Sequence, residues 1–117
     1  MENNHVNLLS AGTLKGTDVV NKVGENLGEL EEIMLDLRNG RVAYAVLSFG
    51  GFMGLGDKLF AIPWKALSVD EEHEQIVLNV EKEVLEDAPG FDKDNWPQTA
   101  TSAWLDNVYS HYGFSYS

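Results

Sequence analysis

From residue 17 onward, apolar and polar positions alternate over short stretches, and each stretch ends at glycine, proline or a charged turn. Short alternating runs with turn signals every ~8–12 residues predict an all-β barrel or sandwich. A first strand is predicted over residues 17–21, with a turn at 22–26 that contains Gly24. A longer strand is predicted over 27–38. Its first half is polar, so its buried part is expected at 30–37. Asn39-Gly40 is the strongest local signal, because both residues tolerate the positive φ that a type I′ hairpin needs at its two central positions. It predicts an antiparallel pair between 34–38 and 41–49. In the second of these strands Val42, Tyr44 and Val46 share one face, and Ala43, Ala45, Leu47 and Phe49 share the other. Apolar side chains on both faces predict a central strand covered on both sides. A closed barrel covers only the inner face, so the outer face calls for a helix, a tail or a second subunit.

Residues 48–58 are a glycine-rich connection in which Gly50, Gly51, Gly54 and Gly56 interleave with Phe52, Met53 and Leu55. A strand resumes at 58–62. Pro63 cannot donate to a ladder and marks a strand end. Helical turns are expected at 64–67 and 81–87, an acidic turn at 70–74 and a strand at 75–79. Residues 91–98 read as irregular. A helix is predicted over 99–111 with Thr99 or Thr101 as N-cap. There Trp104, Val108 and Tyr112 recur at i, i+4 and i+8, and Leu105 and Tyr109 widen the stripe, so this tail is a natural cover for the barrel.

Composition narrows the function. Nineteen acids against eight bases leave a formal charge of −11 in 117 residues. That disfavours nucleic-acid binding, which draws its affinity from Lys and Arg on phosphates, and docking to an anionic membrane. No cysteine is present, so disulfides and thiolate chemistry are excluded. No apolar run nears the roughly 18 residues of a membrane span, and no secretory leader is apparent, so a cytoplasmic protein is expected. The glycine segment 51–58 is not a phosphate loop, because Asp57 precedes Lys58 and Leu59 follows where Ser or Thr would bind Mg²⁺. Asp70-Glu71-Glu72-His73-Glu74 is a loose set of ligand types on a turn, and Asp92-Lys93-Asp94-Asn95 starts like a calcium loop but has Pro97 and Ala103 where Gly and Glu are needed. Neither Gly-x-Ser-x-Gly nor Ser-x-x-Lys occurs. No catalytic residue, cofactor or metal site is therefore expected. His73, among carboxylates, could report mild acidification.

Several stretches resemble the PRC-barrel family, named after the photosynthetic reaction centre H subunit. They are Gly16-Thr17-Asp18-Val19-Val20-Asn21, Gly24-Glu25-Asn26-Leu27-Gly28-Glu29-Leu30 with Leu35-Asp36, and Gly40-Arg41-Val42-Ala43-Tyr44-Ala45-Val46-Leu47. The most specific runs from Gly50 through Gly56-Asp57-Lys58 to Phe60-Ala61-Ile62-Pro63-Trp64. Leu85, Ala88-Pro89-Gly90-Phe91 and Asn95-Trp96-Pro97 resemble the end of the stand-alone bacterial form. The resemblance implies a scaffold for protein contacts with no catalytic residues. One branch of the family is the cytoplasmic part of the H subunit and another is a domain of a ribosome maturation factor. The expected organisation is an N-terminal arm at 1–13, a small, mainly antiparallel β-barrel at 14–90, and a C-terminal extension with a short helix at 91–117. The expected function is a non-enzymatic interaction or assembly module that self-associates as a homodimer and takes a further protein partner. Phe52, Met53, Leu55, Trp64 and Trp104 are the candidate surface, since a barrel of this size has little interior to hide them. The alternative is a small-ligand barrel that senses a metabolite near the glycine-rich loop.

Overall fold

In the computed structural model the described residues are 8–49, 58–88, 90–92 and 101–116. They form α1 (Ala11–Leu14), β1 (Asp18–Val20), β2 (Asn26–Asp36), β3 (Arg41–Phe49) and β4 (Lys58–Ile62). A 3-10 turn at Trp64–Ala66 leads into β5 (Leu67–Asp70), β6 (Gln75–Leu78), α2 (Lys82–Glu86), β7 (Gly90–Asp92) and α3 (Ser102–His111). The strands make one sheet in the order β5-β6-β1-β2-β3-β4-β7. Its ladders are antiparallel except that of β1 with β6, where Val19 pairs Ile76 and Val20 pairs Val77 in parallel.

The two-faced reading of residues 41–49 holds. Ala45, Leu47 and Phe49 join Val19, Leu27, Leu30, Ile62, Ile76, Leu78 and Leu85 in the barrel core. Tyr44 and Val46 face the other way, onto Leu59, Ala61 and the α3 residues Leu105, Val108 and Tyr109. The neighbouring β4 alternates in step, with Phe60 and Ile62 on the barrel side and Leu59 and Ala61 on the helix side. The cover demanded by the outer face is therefore α3. Thr101 is its N-cap and accepts from the Trp104 N–H at 3.1 Å. The barrel interior is filled by side chains: Leu27, Ile76, Leu78 and Leu85 have no exposed surface at all. Each such residue contributes roughly 1.5–3 kcal/mol relative to leaving it in water.

Four local readings differ. Ala43 packs on the helix side with Tyr44, because the ladder steps from Met34–Tyr44 to Leu35–Val42 and leaves Ala43 as an extra residue. A bulge of this kind turns one side chain to the opposite face. The β2–β3 connection is longer than a type I′ turn: Asp36 pairs Arg41, and of Asn39 and Gly40 only Gly40 has positive φ, at 66°. The Asp36 carboxylate decides this, since it accepts from the Arg38 and Asn39 N–H groups at 3.1 Å and holds the chain in a helical turn first. Residues 67–70 and 90–92 are strands, drawn into the sheet by β6 and β4. Finally, Ser10 caps a helical turn that carries Leu14, the first buried side chain among the described residues, into the core.

Candidate interaction surface

Of the five candidate surface residues, Phe52, Met53 and Leu55 lie outside the described residues. Trp64 begins the 3-10 turn behind the buried Pro63 and is half-buried against the barrel core. Trp104, in the first turn of α3, is half-buried on the opposite face of the sheet, edge-to-face with Tyr44 at 5.2 Å. The two tryptophans therefore belong to different layers and do not form one patch.

A groove absent from the sequence reading lies beside β5, at one end of the sheet. Leu9, Leu14 and Val69 line about 250 Å³ of it, with Asp70 at the end of β5 and Glu71 and Glu74 from the β5–β6 turn. A smaller hollow continues it to Trp64. Leu9 and Val69 stand 48 and 41% exposed here. Leu9 and Leu14 are placed by the capped turn of α1, and Val69 by the pairing of β5 with β6. Within the turn Asp70 accepts from the His73 backbone and lies 2.9 Å from its Nδ1, and these contacts with His73 draw the carboxyl below its usual range.

A second apolar region flanks the β2–β3 hairpin, where Leu35 and Leu37 are 63 and 88% exposed. The C-terminal segment closes one end of it. The Tyr116 hydroxyl donates to the Asp36 carboxylate, Arg41 lies over the Tyr116 ring at 3.9 Å and donates to its carbonyl, and Tyr109 donates to the Ala43 carbonyl at 2.5 Å. The Tyr116 hydroxyl, followed by the Asn39 backbone and side-chain donors, holds the Asp36 carboxyl at about 2, well below its ordinary 3.8.

A third hollow, of about 390 Å³, sits where β3 runs into the glycine segment. Asp18, Asn26, Glu29, Ser48, Phe49 and Lys82 line it. Among the described residues no three acids or histidines are grouped to hold a metal ion, and no helix is long and apolar enough to cross a membrane.

A mostly antiparallel sheet rolled around a filled core, with its second face covered by a C-terminal helix, defines a small β-barrel domain. The chain belongs to the PRC-barrel domain family, whose model matches residues 7–85. Among solved structures it is similar to a Pseudomonas aeruginosa protein named for 16S ribosomal RNA processing, RimM, with 15% identity and a TM-score of 0.47. The match covers 71% of this chain and 50% of that one, so the chain spans about half the length of that protein. No curated protein matches the sequence.

Proposed function

We propose that this barrel is a non-enzymatic interaction and assembly module that works through its surface and self-associates as a homodimer. The observation that carries this reading is apolar surface left in water around a filled core: Leu9 and Val69 at one edge, Leu35 and Leu37 at the hairpin. Isolated exposed leucines are ordinary, but apolar side chains gathered at a groove mark a contact surface. The self-association surface is assigned to Phe52, Met53 and Leu55, with Trp64 and Trp104 as the further candidates. Phe52→Asp is expected to halve the mass found by light scattering and to leave the circular dichroism spectrum unchanged. An unchanged mass with an unchanged spectrum would refute Phe52 as part of the dimer surface.

A second reading rests on the 390 Å³ hollow at the foot of the glycine segment. Its mixed lining of Asp18, Glu29, Ser48 and Lys82 suits a small polar metabolite carrying both charges. Ligands that bind only the native state raise its melting temperature. A thermal-shift screen of amino acids and other small zwitterions decides this reading. A stabiliser whose effect disappears in Lys82→Met supports it, and a silent screen removes it.

A further inference from the structure

We propose that Asn39 is a site of spontaneous deamidation: the Asp36 carboxylate delays the reaction, and its product releases the C-terminal segment from the β2–β3 hairpin. The inference lies outside the interaction-module reading and does not depend on it. Asn39 is the one asparagine in the sequence that precedes a glycine. Both residues are exposed in the β2–β3 turn. In an Asn-Gly pair the glycine nitrogen can attack the asparagine Cγ, because glycine has no Cβ to obstruct the approach. Hydroxide takes the proton of the Gly40 N–H, and the nitrogen–Cγ bond forms. The hydroxide is regenerated when Nδ2 takes a proton from water and leaves as ammonia. Water then opens the cyclic imide at either carbonyl and gives aspartate or isoaspartate. Nothing is oxidised or reduced.

Contacts with Asp36 stand in the way. The Gly40 N–H donates to the Asp36 carbonyl at 2.8 Å, so the attacking nitrogen is engaged. The Asn39 N–H donates to Asp36 Oδ1 at 3.1 Å and its Nδ2 to Oδ2 at 2.8 Å, so the side-chain amide is held toward Asp36. Swinging Cγ onto the Gly40 nitrogen breaks the Nδ2 bond. The Asp36 carboxylate also opposes the negative charge that develops on Asn39 Oδ1 during the attack. Asp36 is itself fixed by the C-terminal segment. Gly113, at φ +81°, turns the chain out of α3, and the Tyr116 hydroxyl donates to the same Oδ2 that Asn39 uses. Arg41 and Tyr109 hold the Tyr116 ring. Deamidation reverses the role of residue 39. A donor becomes a second carboxylate at hydrogen-bonding distance from Asp36, and like charges this close repel. Isoaspartate also adds a methylene to the main chain inside the turn. Either product pulls Asp36 from Tyr116, and Arg41 is drawn from the Tyr116 ring to the new charge. The C-terminal segment loses its anchor on the hairpin while α3 keeps its packing on β3 and β4.

The test incubates the full chain at mildly alkaline pH beside a free peptide of residues 36–42. Conversion is followed by intact mass and by peptide mapping that separates aspartate from isoaspartate. Asn39 is expected to convert at least about tenfold more slowly in the chain than in the peptide. Asp36→Ala is expected to bring the chain to within about threefold of the peptide, and Tyr116→Phe to speed conversion by about threefold. Tyr116→Phe leaves the donors and acceptors of the turn in place, so it keeps the test valid should Asp36→Ala unfold the hairpin. For the product, Asn39→Asp is expected to abolish the nuclear Overhauser contacts of the Tyr116 ring with Arg41 and Tyr109 and to keep those of Tyr44 with Trp104. Equal rates in chain and peptide would overturn the inference. So would no conversion at Asn39 in any of the chains, or a rate unmoved by Asp36→Ala, or by Tyr116→Phe where Asp36→Ala does not fold. A Tyr116 ring that keeps its contacts in Asn39→Asp would overturn it as well.

Discussion

At Gly28 the backbone of β2 passes so close to β3 that a methyl group would lie 2.0 Å from the Ser48 carbonyl oxygen, and φ is +130°. Both space and conformation exclude a side chain there. Gly24 also has positive φ, at 89°, but a methyl group would meet nothing within 4 Å. Gly28→Ala is therefore expected to cost about 3 kcal/mol or more in urea unfolding, and Gly24→Ala only about 1 kcal/mol. Equal losses would mean that conformation alone, and not the contact with β3, fixes Gly28. Asp36 is the second residue whose surroundings give a number. Its carboxyl titrates near 2 in the folded chain and near 3.8 when free, so its contribution to stability is present above that free value and is lost as pH falls from there through about 2. The Tyr116 hydroxyl is the largest cause. Tyr116→Phe is expected to move the Asp36 midpoint up toward 3.8, read from the carboxyl carbon in NMR spectra. An unmoved midpoint would transfer the effect to the Asn39 donors.

Among the elements, α3 is the one whose loss would expose the outer side of β3 and β4, with Tyr44, Val46, Leu59 and Ala61. Leu105→Ala removes a side chain that is 8% exposed against Tyr44 and Val46, and is expected to cost about 2–4 kcal/mol. Thr101→Ala removes the N-cap and is expected to cost about 1 kcal/mol. Chemical denaturation of both variants checks the order, and a larger loss for Thr101→Ala would show that α3 is held by its cap more than by its packing. This helix was legible in the sequence because its apolar residues recur at a helical spacing, and β3 because residues 42–49 are apolar at every position but Ser48. β5, β7 and α1 were not. They have four, three and four residues, too few for a period to register, and β5 and β7 are strands because β6 and β4 offer them edges. The hairpin turn was misread for a different reason. Asn39-Gly40 favours one turn in isolation, and the side chain of Asp36 selects another. The β5 groove was invisible because Leu9, Leu14, Trp64 and Val69 are spread over sixty positions, and only the sheet brings them together.

For the whole molecule the balance of charge is the dominant long-range term. Nineteen acids against eight bases repel one another in the compact state, with contacts such as Lys15–Glu32 at 3.2 Å relieving the repulsion only locally. Raising NaCl from about 10 to about 300 mM is expected to raise the melting temperature by a few degrees, since screening weakens the net repulsion. A falling melting temperature would mean that the local pairs outweigh it. The parallel ladder of β1 with β6 has a consequence for the order of assembly. β1 needs β2 on one side, close behind it in the chain, and β6 on the other, with Val19 meeting Ile76 57 positions later. During synthesis the hairpins β1–β2 and β2–β3 can therefore form while the far flank of β1 waits, until β6 has emerged to occupy it. Over that interval the nascent chain presents an unfilled strand edge, and that edge is where a chaperone, or a neighbouring copy on the same message, would find it first.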